Sequence, residues 1–99
     1  MSVKLTFSEA YRIAILTVLN KDTDHRVNER MLRTSLEALY AFDLSKVEMR
    51  RELSFLEAQL CLKLEILHED MWAATLTERG QRAAHGKERV PGVDEPELD

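Results

Sequence analysis

Residues 1–79 contain neither glycine nor proline; the three glycines are Gly80, Gly86 and Gly92 and the two prolines are Pro91 and Pro96. A glycine-rich phosphate loop is therefore excluded from most of the chain. An all-β fold is disfavoured as well, because its frequent tight turns need residues that tolerate positive φ. Cys61 is the single cysteine, so no internal disulfide can form and a reducing compartment, the cytoplasm, is the expected location. No run of eighteen apolar residues is present, so no membrane span is expected. The first residues, MSVKLTFSEAYR, lack the apolar core and cleavage site of a signal peptide. No internal repeat is visible.

What is present fits one small, mostly helical domain. The chain has 99 residues, 44% apolar and 32% charged, which is ordinary for a globular protein and too apolar for a disordered one. The net charge of −4 speaks at first against a nucleic-acid partner. Its distribution changes that reading. All 14 Lys and Arg lie within residues 1–89, as do 14 of the 18 acids, so the body is neutral and the deficit sits on Asp94, Glu95, Glu97 and Asp99.

Capping signals and periodicity order the elements. Thr6 and Glu9 read as a capping box for a first helix over 7–20, followed by the polar loop NKDTDHR. Asn28 is a good N-cap for a second helix over 29–41, whose apolar face holds Met31, Leu32, Leu36, Leu39 and Tyr40. Ser45 and Glu48 form another capping box, with Leu44 and Met49 as its hydrophobic staple, and start a third helix over 46–59. The period then changes to two. Leu62, Leu64 and Ile66 alternate with polar residues, His68, Glu69 and Asp70 turn the chain, and Trp72, Ala74 and Leu76 mark a return strand. Thr77 caps a short helix that ends near Gly86. The expected fold is α+β, mainly α: a winged helix–turn–helix of three helices, a β-hairpin wing and a short C-terminal helix. The domain is expected to span 1–86, with 87–99 a flexible acidic tail.

In such a fold the third helix enters the major groove N-terminal end first. Ser45, Lys46, Val47, Arg50, Arg51 and Ser54 are the candidate DNA contacts, with Arg26, Arg30, Lys63 and His68 as flanking backbone and wing contacts. The bland alternative is a solvated face, since residues 43–63 carry four basic and four acidic side chains. The first helix carries Tyr11, Ile13, Ala14, Ile15, Leu16, Val18 and Leu19 on more than one face. Either it is a central core helix, or Tyr11, Ile15 and Leu19 form a homodimer interface. Phe55, off the buried stripe of the third helix, is a further candidate contact. His25, His68, His85 and Cys61 show no metal-ligand spacing, so no metal or cofactor is expected. Nothing suggests a catalytic pocket, so an enzyme is not expected.

The stretch WAATLTERGQRAAHGKERVPGV, Trp72 to Val93, resembles the C-terminal signature of small winged-helix proteins of Mu-like phages and prophages, related to ArsR- and MarR-type regulators. Residues 19–59, LNKDTDHRVNERMLRTSLEALYAFDLSKVEMRRELSFLEAQ, match the same pattern, so the resemblance spans nearly the whole chain. RVPGV, Arg89 to Val93, is its most specific part, whereas LTERG, Leu76 to Gly80, is shared with other winged helices. The resemblance implies a phage or prophage origin, a winged helix and double-stranded DNA as partner. It also leaves open a phage protein partner in packaging or assembly. Two positions depart from the pattern: Leu60 stands where relatives have glycine after the third helix, and Glu69 or Asp70 where they have glycine at the wing tip. The cysteine ligands of ArsR-type sensors are missing, so no metal site is carried over.

Overall fold

The computed structural model describes residues 3–97. Helix α1 spans Val3–Lys21, strand β1 Arg26–Asn28, α2 Glu29–Tyr40 and α3 Lys46–Ala58. Strands β2 (Leu62–Leu67) and β3 (Met71–Leu76) form a hairpin around the turn His68–Asp70, and α4 spans Glu78–Ala84. The three strands make one antiparallel sheet in the order β1-β3-β2. This is the expected winged helix–turn–helix, with one strand more than the hairpin. β1 has no signal in the sequence, because three residues, of which only Val27 is apolar, are too few to show a period of two.

Local chemistry explains the boundaries. Asn28 Oδ1 accepts the Met31 amide at 2.8 Å and starts α2. Ser45 starts α3 through both halves of a capping box: its hydroxyl accepts the Glu48 amide at 3.1 Å, and Glu48 Oε1 accepts the Ser45 amide at 3.0 Å. Leu44 and Met49, the two ends of the staple, are buried in the same core. Thr77 caps α4 by accepting the Gly80 amide. Gly80 is required by close approach, since a Cβ there would lie 2.1 Å from the Cys61 carbonyl oxygen. α1 starts at Val3 rather than at 7, so Thr6 lies inside the helix and is not its cap.

α3 ends in a Schellman motif, with Cys61 N–H donating to Leu56 C=O and Leu60 N–H to Glu57 C=O, both at 2.9 Å. The residue in the left-handed conformation is Leu60, at φ 64°. Glycine would adopt this conformation without a Cβ penalty, and leucine occupies it at a cost. The wing turn repeats the pattern, with Glu69 and Asp70 at φ 59° and 58°. Glycine does take the corresponding place after α4, at Gly86.

α1 is the central helix. It packs against α2, α3, α4 and β3, and Ile15, Leu16 and Leu19 are fully enclosed with Leu32, Leu36, Met49, Leu53, Leu56 and Leu62. Ile15 and Leu19 are therefore core residues and cannot meet a second copy; the surplus apolar surface of α1 is covered within the chain. Tyr11 is half-buried, its ring edge-on to Phe42 at 4.9 Å.

The expected boundary at 86 is also corrected. Val90 and Val93 are buried in the core cluster, and the Asp94 amide donates to the Glu9 carbonyl at 3.2 Å. Residues 87–94 form a strap across α1 and α3. Gly92 takes φ 81° where a Cβ would lie 2.5 Å from the Phe55 ring. Phe55, proposed as an outside contact, is covered by this strap and by Arg12, whose guanidinium stacks 3.6 Å from the ring centroid. Asp99 lies outside the described residues.

Leu60→Gly should relieve the left-handed strain and raise unfolding stability by about 0.5–1 kcal/mol, read from urea denaturation. A loss of stability would show that the Leu60 side chain, 67% exposed, contributes more by contact than its φ costs.

Candidate nucleic-acid interface

The third helix presents two unlike sides. Met49, Glu52, Leu53 and Leu56 face inward, while Lys46, Val47, Arg51 and Ser54 face solvent behind the exposed cap Ser45. Glu52 is the anomaly, a carboxylate inside the apolar stripe. It is fully enclosed and accepts Arg12 Nε and Ser8 Oγ, each at 2.8 Å. Arg12 also donates to the Gly92 carbonyl at 2.9 Å and so ties the strap to the same pair. A buried carboxylate needs such a partner, because removing it from water uncompensated costs several kcal/mol.

The other acids of α3 are used locally. Glu48 belongs to the capping box, and Glu57 Oε2 accepts the Leu64 amide at 2.8 Å. None of the α3 carboxylates makes a hydrogen bond to Lys46 or Arg51 among the described contacts. Arg51 approaches Glu52 only to 4.0 Å, beyond hydrogen-bond range, and its side chain is 57% exposed.

Arg50 is placed differently from the expectation. Its Nε and Nη2 fork onto Glu29 at 2.8 and 2.9 Å, Nη1 and Nη2 reach the Asp70 carboxylate and carbonyl, and the guanidinium lies 4.5 Å from the centre of the Trp72 ring. Glu29 also accepts the Trp72 amide. Arg50 thus joins α3 to the start of α2 and to the wing, and most of its donors are used inside the molecule. Burial pushes the Glu29 carboxyl upward. The Arg50 fork and the Trp72 amide outweigh that and hold it below the ordinary 4.5, while Arg50 is held protonated chiefly by the same fork.

The flanking candidates divide. Arg30 is exposed and shares with Arg33 and Lys46 a shallow recess beside Glu29 and Met71, so it joins the basic edge of the α3 face. Arg26 lies in β1 and pairs with Glu65 across the sheet, both side chains remaining about half exposed. Lys63 shares its cross-strand row through Thr75 and is exposed, as is His68 at the wing turn. The sequence reading missed the Glu29–Arg50–Asp70 network and the Arg12–Glu52 pair. Glu52 carried a signal, because it stands three residues after Met49 and four before Leu56, a core position. Glu29 carried none, since its partner is 21 residues away. Among the described residues no group of three or more His, Cys, Asp or Glu is placed to hold a metal, and no helix is long and apolar enough to cross a membrane.

Comparison with known proteins agrees with this architecture. The chain is 35% identical over 89 residues to the uncharacterized protein gp26 of Escherichia phage Mu, covering 90% of each chain. It is 32% identical over 84 residues to an uncharacterized protein of Haemophilus influenzae, covering 85% of this chain and 80% of the other. Among solved structures it is similar to F93 from STIV, described as a winged-helix DNA-binding protein, with a TM-score of 0.58, 19% identity and coverage of 86% and 85%. No protein-family model matches the chain.

A carboxyl whose folded pKa is depressed contributes stability that is complete above its ordinary value and lost as pH falls through the folded value. Thermal unfolding should therefore weaken from about pH 4.5 downward. Glu29→Gln should lower Tm at pH 7, because Arg50 loses its fork, and should flatten the acid limb. Circular-dichroism melts at pH 7 and pH 3 read both, and a variant with an unchanged neutral Tm would show that the fork holds nothing.

Proposed function

The chain belongs to the family of the phage Mu protein gp26, and we propose that it binds double-stranded DNA through α3 as a phage or prophage transcription regulator. The observation that carries this reading is the fate of the α3 acids. Glu48, Glu52 and Glu57 are each engaged within the molecule, and the face left to solvent holds Ser45, Lys46, Val47, Arg51 and Ser54. A phosphate backbone attracts such a face, and the N-terminal end of a recognition helix is the part that reaches base edges. The winged-helix fold supplies the frame in which α3 is the exposed reader. Arg30 and Lys63 are the flanking backbone contacts, with His68 on the wing. Arg50 acts in this reading as a positioning residue: it aims α3 and carries the wing with it, and does not itself touch DNA. Two chains are proposed to bind together, on half-sites one DNA turn apart.

A second reading, a packaging or assembly adaptor, is favoured by one observation. The wing carries Ile66 and Leu67 in solvent, at 69% and 37% exposure, beside the acidic Glu69 and Asp70. That mixture suits a protein surface better than a phosphate backbone.

Titration against a random duplex separates the two. Affinity should fall steeply between about 50 and 200 mM salt, and Lys46→Ala should reduce the salt slope by about one. Absence of binding at about 50 mM salt, with the fold intact, would contradict the DNA reading and leave the adaptor.

A further inference from the structure

One side chain on α3 is explained neither by the core nor by charge. Val47 is 76% exposed, more than any other large apolar side chain among the described residues. It is the second residue of α3, directly after Lys46. On a helix, Val47, Arg51, Ser54 and Ala58 fall at i, i+4, i+7 and i+11 and so form a single strip, and all four are exposed. Apart from the guanidinium the strip is small and smooth, and no carboxylate lies on it. An isopropyl group held in water at the tip of such a strip gains nothing from folding.

We propose, on the DNA-binding reading above, that Val47 is a specificity-determining residue whose methyl groups pack on the C5 methyl of a thymine in the major groove. The chemistry singles out that partner. The major-groove edges of guanine, cytosine and adenine present donors and acceptors, which valine can neither meet nor replace, whereas thymine presents an apolar methyl. Valine therefore favours a thymine and disfavours the alternatives by desolvating them. Its rigid, β-branched side chain loses little freedom on contact. Arg51 then reads a guanine nearby: four residues advance about 6 Å along the helix, close to two base-pair steps of about 3.4 Å. The preferred half-site holds a thymine and a guanine about two base pairs apart.

The test uses duplexes enriched from a random pool by the full-length protein, with each thymine in turn replaced by deoxyuridine. This change removes the C5 methyl and keeps every hydrogen-bonding group. One thymine should stand out, its replacement weakening binding about fourfold, as expected for one buried methyl. Val47→Ala should bind the thymine and deoxyuridine forms of that duplex equally. If the protein enriches sites but no replacement weakens binding, or if Val47→Ala loses as much as the native protein, the role of Val47 is overturned while DNA binding stands. If no duplex is bound with salt-dependent affinity, the DNA-binding reading falls and this assignment falls with it. An exposed Val47 would then point to a protein surface.

Discussion

The fork of Arg50 onto Glu29 ties three parts of the molecule to one another at a single point. Glu29 opens α2, Arg50 lies one turn into α3, and Asp70 and Trp72 belong to the wing hairpin. An ion pair in this setting gains little over a well-packed apolar contact, because both charges must leave water. What it supplies is direction. The guanidinium plane has one arrangement that satisfies a bidentate carboxylate, and that arrangement fixes the wing relative to α3. The Arg12–Glu52 pair does the same from the other side of the helix. Residues 50 and 52 are about 200° apart around the axis, so α3 is held by its two flanks and its third side stays open.

This arrangement accounts for a protein with net negative charge having a face suited to polyanions. The acids of α3 lie off its open strip: Glu52 is enclosed and paired with Arg12, while Glu48 and Glu57 keep their charge but hold it on the Ser45 and Leu64 amides. The −4 of the sequence belongs to the C-terminal acids, and three of these, Asp94, Glu95 and Glu97, lie beyond or at the end of the strap over α1.

Elements with local signals were readable from sequence. The Ser45–Glu48 box and the Asn28 cap are found as written, and the two strands read from the alternation are present and paired, although Ile66 at the wing end is exposed rather than buried. Leu60, read as a departure from the family pattern, stands in the left-handed conformation that makes glycine the better choice. Features that depend on distant partners were not readable. Arg50 and Arg51 are adjacent and chemically equal in sequence, yet one is bound internally and the other is exposed. The apolar surplus of α1 looked like an interface because the sequence does not show that α4 and the strap would cover it. Val90 and Val93 looked like tail residues because they are isolated apolar side chains among Pro, Gly and acids, with no periodicity to place them. β1 was too short to register.

The central claim is that the open side of α3 is the main surface that meets DNA, flanked by Arg30, Lys63 and His68. Backbone amide NMR of the full-length protein during titration with a short duplex at low salt tests it directly. The account predicts that shifts concentrate at Ser45, Lys46, Val47, Arg51 and Ser54, with smaller ones at Arg30 and Lys63, while α1 and the strap remain unmoved. Shifts confined to the strap or to α4, with α3 silent, would contradict it.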